Sequence, residues 1–240
     1  MPRARVRRSL VPALAVSALL ALAGCGGGVT DAATSPGTAA RIGDVELSRA
    51  TVDRTAEAIC ADLEPQFIEA AAPVEMLQIR QYALSLLTAR AQAEQVAEAY
   101  DVDPGPEVTQ DLNQRRQGAD EVPEELTDEF VTAMNTEVYV TSVLRRVGEA
   151  SLRSEGVRRP GQDAAMQRGS ELFGQWATEA DVSFDPRYGV DVEEGQLVPN
   201  RGGTSFPVSE QAEKAWTSLS DPQNADPDYA SSLPESQRCG

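Results

Sequence analysis

Apolar residues recur at helical spacing through most of the chain. Arg41 to Ser48 reads as a short strand, a Gly43-Asp44 turn and the start of a helix, with Ser48 suited to the N-cap. The first helix is expected from Arg49 to about Ala61, with Val52, Ala56 and Ile59 on one face. Glu64-Pro65 marks a break or a restart, because proline removes a helical donor. Pro73 suits the first turn of a second helix reaching about Tyr100. Its stripe of Leu77, Leu84, Leu87, Ala91 and Val96 is wide, as in a helix packed on two sides. A polar helix is expected over 107–117 and a long one over 124–152. In the long one Leu126, Phe130, Met134 and Val138 recur every fourth residue, and Tyr139, Val143 and Val147 extend the band. Gly156 to Gly161 breaks the pattern. A last helix over 163–180 carries Phe173, Trp176, Ala177 and Ala180 on one face. Val182 to Phe184 and Gln196 to Pro199 then read as extended pieces. From Ser220 onward Pro, Ser, Asp and Asn dominate, so the tail is expected to be irregular unless Cys239 is tied down. The pattern predicts a mainly α fold: a bundle-like helical domain over 41–200 with short extended segments near both of its ends. The extension at 201–240 is expected to be largely irregular or disordered.

The first 25 residues break this amphipathic regime. A basic stretch, Arg3 to Arg8, precedes an apolar run from Leu10 to Ala23, too short for a stable transmembrane helix. The run ends in Leu22-Ala23-Gly24-Cys25, which resembles a bacterial lipobox. The resemblance implies a signal peptide over 1–24, cleavage after Gly24 and a diacylglyceryl group on the Cys25 sulfur. Two acyl chains on one residue anchor durably where one is marginal. Arg7-Arg8-Ser9-Leu10-Val11 resembles part of a twin-arginine export motif, and both that route and the general secretory one stay open. Residues 25–40, rich in Gly, Ala, Ser and Thr, read as a flexible tether. The expected location is the extracytoplasmic face of the bacterial cell membrane.

Charge and composition narrow the chemistry. The chain of 240 residues has no histidine, which excludes the usual serine or cysteine triads and a His-based zinc site. Of its 21 basic side chains four leave with the leader, so 17 face 38 acidic ones, a formal charge near −21. A polyanion would be repelled, so nucleic acid is not an expected partner. Two cysteines remain, Cys60 and Cys239. One disulfide between them is possible in an oxidising compartment and would staple the tail to an early helix. The alternative is two unpaired thiols, one of them exposed beside the last residue. No metal site or cofactor is expected. Paired carboxylates such as Asp62 and Glu64 occur everywhere in so acidic a chain and read as a solvated surface. No glycine-rich phosphate loop lies between a strand and a helix.

The order of parts is more informative. Ala40-Arg41-Ile42-Gly43 with Leu47-Ser48 opens the domain, and Asp181 to Gly189, with Val182-Ser183-Phe184-Asp185-Pro186-Arg187-Tyr188-Gly189, closes it. This arrangement over 40–200 resembles the N-terminal domain of SurA-type envelope chaperones, in the lipoprotein versions found in actinobacteria. The resemblance implies a late helix that packs back on the early ones. It also implies a non-enzymatic role, holding unfolded or partly folded exported polypeptides without ATP. Many relatives in that family carry a parvulin-type prolyl isomerase domain. This chain has no room for one between Leu152 and Asp163 and no histidine, so isomerase activity is not expected. Phe130, Met134, Phe173 and Trp176 are the candidate client-binding residues, with ordinary core as their other reading. An assembly lipoprotein with a single envelope partner is the main alternative; a prolyl isomerase-related foldase is the other.

Overall fold

The computed structural model describes residues 36–193, 196–199, 207–220, 226 and 228–240. The leader over 1–24, Cys25 and the tether as far as residue 35 lie outside the described residues. In chain order the elements are β1 (Thr38–Ile42), β2 (Val45–Ser48), α1 (Arg49–Ala70), β3 (Val74–Glu75), α2 (Met76–Ala99), α3 (Pro106–Gln117), α4 (Thr127–Met134), α5 (Thr136–Ser154), α6 (Gln162–Glu179), β4 (Val182–Phe184), β5 (Val190–Glu193), β6 (Gln196–Pro199), α7 (Glu210–Ser220) and β7 (Arg238–Cys239). The protein is mainly helical, with few short strands.

A small sheet joins the two ends of the helical body. β1 pairs antiparallel with β2 across the Gly43-Asp44 turn and with β4 on its other edge, in the register Ala40↔Phe184, Arg41↔Ser183 and Ile42↔Val182. Thr38 to Ala40, expected in the tether, belong to β1, and Ala39, Ala40 and Ile42 are fully buried. Strand pairing outweighs their weak local preference. Ser48 caps α1 as its sequence suggests: its Oγ accepts from the Thr51 N–H at 3.0 Å.

Three expected helix boundaries move. α1 continues through Pro65 to Ala70, then ends on Ala71 in the left-handed region. Proline forfeits one backbone bond, but Leu63 and Phe67 pack on the core on either side of it and hold the helix. Pro73 does not open α2; it precedes β3, which exists because β7 pairs with it from the far end of the chain. The long helix expected over 124–152 is divided into a 3₁₀ turn at Glu124–Leu126, α4 and α5. The α4–α5 junction is Asn135, which is fully buried. Its Nδ2 donates to the Asp111 carboxylate at 2.8 Å and to the Val108 carbonyl at 3.3 Å, and its Oδ1 accepts from Arg90 at 3.4 Å. A buried amide needs such partners, and two of its three lie on α3.

Two apolar clusters make the core. One gathers α1, α2, α4 and the sheet around Val52, Ile59, Leu84 and Val131. The other lies among α2, α3, α5 and α6 around Val96, Tyr139, Val143 and Leu172. α5 and α6 pack against each other along their length.

The extension at 201–240 is not irregular throughout. It contains α7, and its last residues are docked: Tyr229 is buried, β7 pairs with β3, and Cys239 forms a disulfide with Cys60 across 179 residues of sequence, with the Cα atoms 5.7 Å apart. The polar composition of this segment reports only that it makes little core of its own.

Candidate functional site

An open crevice of about 600 Å³ with both apolar and charged lining lies between α3, α5 and α6. Val138 and Met166 supply its apolar lining, and Glu107, Glu137, Ser142 and Arg145 its polar lining. Its edge is fixed by the start of α3. Gly105 is the N-cap and Pro106 the first helical residue, so α3 begins with a preset φ and no wasted donor there. The Gly105 N–H instead donates to Ser142 Oγ on α5 at 2.7 Å. Ser142, 1% exposed, donates in turn to Glu107 Oε1 at 2.6 Å, and Arg145 closes an ion pair on the same oxygen. One serine thus satisfies a helix-end donor and orients a carboxylate at the mouth of the crevice.

The Ser142 hydrogen bond, helped by a backbone donor and by Arg145, holds the Glu107 carboxyl below its ordinary range. Behind it, Asp111 is also lowered. Burial alone would raise it, but the hydrogen bonds from Asn135 and Arg115 outweigh that. A carboxyl whose folded pKa is depressed contributes stability that is present above its unfolded value, about 4.3 for glutamate, and is lost as pH falls through the folded value. Acidification below that range is therefore expected to destabilise the wild type more steeply than Glu107→Gln. Urea midpoints of the two proteins across the acid range check this; parallel pH profiles would remove Glu107 from the linkage.

The four residues expected to meet clients are not brought together in this crevice. Phe130, 6% exposed, is part of the first core cluster and Met134 packs against it. Phe173 packs against the second cluster, and Trp176 packs against both. Their separation has a simple cause. An apolar stripe marks the face of a helix that is covered, and here α1, α2 and α3 cover α4 while α5 and α2 cover α6. Of the apolar residues in the crevice, Val138 was visible in the sequence as part of the α5 band. Met166 belongs to no apolar stripe of the sequence. It lies beside the buried face formed by Ala165, Gly169 and Leu172, and an apolar residue just off the core stripe is the signal that finds it.

A second cleft of about 520 Å³ lies between α1, α2 and α4 and is lined by Arg54, Thr55, Leu87, Glu125 and Glu129 among others. Arg54 spans it, donating to Glu129 at 2.7 Å and to the Glu125 carbonyl at 2.6 Å. Arg54 thus ties α1 to the start of α4, which makes the cleft a joint between helices. Among the described residues, no group of three or more His, Cys, Asp or Glu side chains is placed to hold a metal ion, and no helix is long and apolar enough to cross a membrane. Set against the models of known protein families, curated proteins and solved structures, the chain matches none.

Proposed function

We propose that the protein is a membrane-tethered extracytoplasmic lipoprotein that binds exported polypeptides without chemical turnover, in the manner of the SurA-type domain it resembles. The crevice between α3, α5 and α6 carries this reading. It offers apolar surface at Val138 and Met166 beside fixed charges, as a binding site for mixed polypeptide segments requires. Apolar side chains of a client lose water against Val138 and Met166, while Glu137 accepts cationic neighbours. The large negative charge of the processed chain steers basic segments inward and keeps the loaded complex soluble.

The test is suppression of aggregation of several unrelated unfolded proteins by the wild type and by Met166→Asp. Activity on all of them, lost in the variant while its helical content and melting temperature are retained, supports the reading. Failure on every substrate, with one stoichiometric protein captured by cross-linking in live cells, argues for an assembly factor instead. Anchoring has its own test. Cys25→Ser is expected to abolish incorporation of a fatty-acid analogue and to leave the protein unprocessed or released. Equal labelling of variant and wild type would remove the lipid anchor from the proposal.

A further inference from the structure

The end of the chain crosses the corner where α1 gives way to α2. β7 adds to β3 in the register Val74↔Cys239 and Glu75↔Arg238. Cys239, 1% exposed, shares an apolar cluster with Met76 and Ile79. Gly240, at φ +94°, approaches so closely that a Cβ there would stand 2.6 Å from the Phe67 Cβ. Tyr229 is buried nearby, close enough to Glu75 for that carboxylate to help raise its pKa, after burial itself.

Beyond the buried Tyr229 and Cys239, most of residues 228–240 are exposed or half-buried and make few hydrogen bonds to the helical body. The strand pair is two residues long. Most of the segment's hydrogen bonds are internal, from Ser232 to Tyr229, from Gln237 to Pro234 and from Arg238 to Ser231. Such contacts must offset the backbone and side-chain entropy lost in ordering the whole segment. The Cys60–Cys239 bond changes that balance. It fixes the far end of the segment beside α1, so the remaining contacts form at higher effective concentration than when the segment is held only at its start, through Ser218 of α7 on Glu75 and Gln78. The helical body has its own closures in the β1–β4 pairing and the α5–α6 packing, neither of which involves this segment.

We propose that residues 228–240 are a redox-latched strap. With the bond made, the strap covers Phe67, Val74 and the free edge of β3. With the bond reduced, it lifts while the helical body stays folded, and the uncovered surface is continuous in sequence with Ile68, already 63% exposed. The latch closes by exchange with the disulfide of an extracytoplasmic thiol–disulfide oxidoreductase. One cysteine thiolate attacks that disulfide and expels one donor thiolate. The second cysteine then attacks the mixed disulfide and expels the other. Two protons and two electrons leave the cysteine pair, and the donor departs as a dithiol. A dithiol reductant runs the same steps in reverse. This proposal does not depend on the protein's binding clients.

Hydrogen exchange read by mass spectrometry on the full processed chain tests it, before and after dithiothreitol, with alkylation confirming two free thiols in the reduced sample. The expected result is exchange roughly tenfold faster or more in 228–240 and 67–76, with α5 and α6 unchanged. Cys239→Ser without reductant is expected to match the reduced wild type. Full protection of 228–240 with both thiols alkylated would show that non-covalent contacts suffice and would overturn the latch. So would loss of protection spreading through α2 and α5, which would make the bond a staple of the whole fold.

Discussion

Replacing Gly148 by alanine is expected to destabilise the protein by about 2 kcal/mol or more, although alanine is the better helix former. Gly148 on α5 and Gly169 on α6 form the contact where the two antiparallel helices approach most closely. A Cβ at Gly148 would lie 1.8 Å from the Ala165 carbonyl oxygen and 2.8 Å from the Gly169 nitrogen. A Cβ at Gly169 would lie 1.8 Å from the Leu144 carbonyl oxygen. The obstructing atoms are backbone, so no rotamer change relieves the overlap and the helices must separate. Separation loosens Val143, Val147, Ala165 and Leu172, all buried at or beside this seam. Intrinsic propensity favours alanine over glycine by about 1 kcal/mol, against about 1–3 kcal/mol for overpacking alone, with the lost packing added to that. At about 2–4 °C per kcal/mol for a chain of this size, the melting temperature should fall by roughly 5 °C or more. Gly169→Ala is expected to behave alike. Gly174 on the same α6 is the control: nothing lies within 4 Å of a Cβ there, so Gly174→Ala should gain up to about 1 kcal/mol. Urea unfolding of the three variants measures the contrast. Equal stability of Gly148→Ala and Gly174→Ala would mean that the helices are not in backbone contact.

Sequence periodicity finds what is decided locally and misses what a distant partner decides. α3, α6, β4 and β6 stand within a residue or so of their expected bounds, because signals such as the aromatic face of α6 and the alternation of Val182-Ser183-Phe184 lie inside the elements themselves. β3 was invisible because two residues become a strand only when Arg238 and Cys239 arrive. Asn135 interrupts an unbroken apolar band because its amide is claimed by Val108 and Asp111 on α3. Gly148 and Gly169 carry no helical signal at all; their meaning is the carbonyl each faces. The same limit governs the candidate site. A stripe of period 3.6 identifies Phe130, Met134, Phe173 and Trp176 as apolar-face residues, but whether that face meets another helix or open water is a property of the packing. Met166 shows the reverse case, an apolar side chain off the stripe and therefore left in the crevice.

Truncation after Gly161 is expected to leave a chain that does not fold. It removes α6, so the groove that receives Ala165 and Gly169 is emptied and Val143 and Val147, both fully buried, lose their cover. It removes β4, so β1 keeps only β2 as a partner. The bonds from Gly43 N–H to the Asp181 carbonyl and from Asp185 N–H to the Ala39 carbonyl go with it, beside the buried Ala39, Ala40 and Ile42. Trp176, which packs against both clusters, is lost as well. Each large apolar side chain left uncovered costs about 1.5–3 kcal/mol, against a typical total stability of about 5–15 kcal/mol, so three or four such losses exhaust it. Truncation after Leu219 removes Tyr229, β7 and the disulfide, and takes Cys239 from the edge of the first cluster, but leaves the rest of that cluster, the whole second cluster and the β1–β4 pairing in place, and should keep a cooperative transition with a lowered midpoint. Thermal unfolding followed by circular dichroism separates the two. The longer protein should melt in one step, whereas the shorter should show reduced helicity and no cooperative transition. A near-native transition in the shorter protein would mean that α1 to α5 form a domain without the elements that close them.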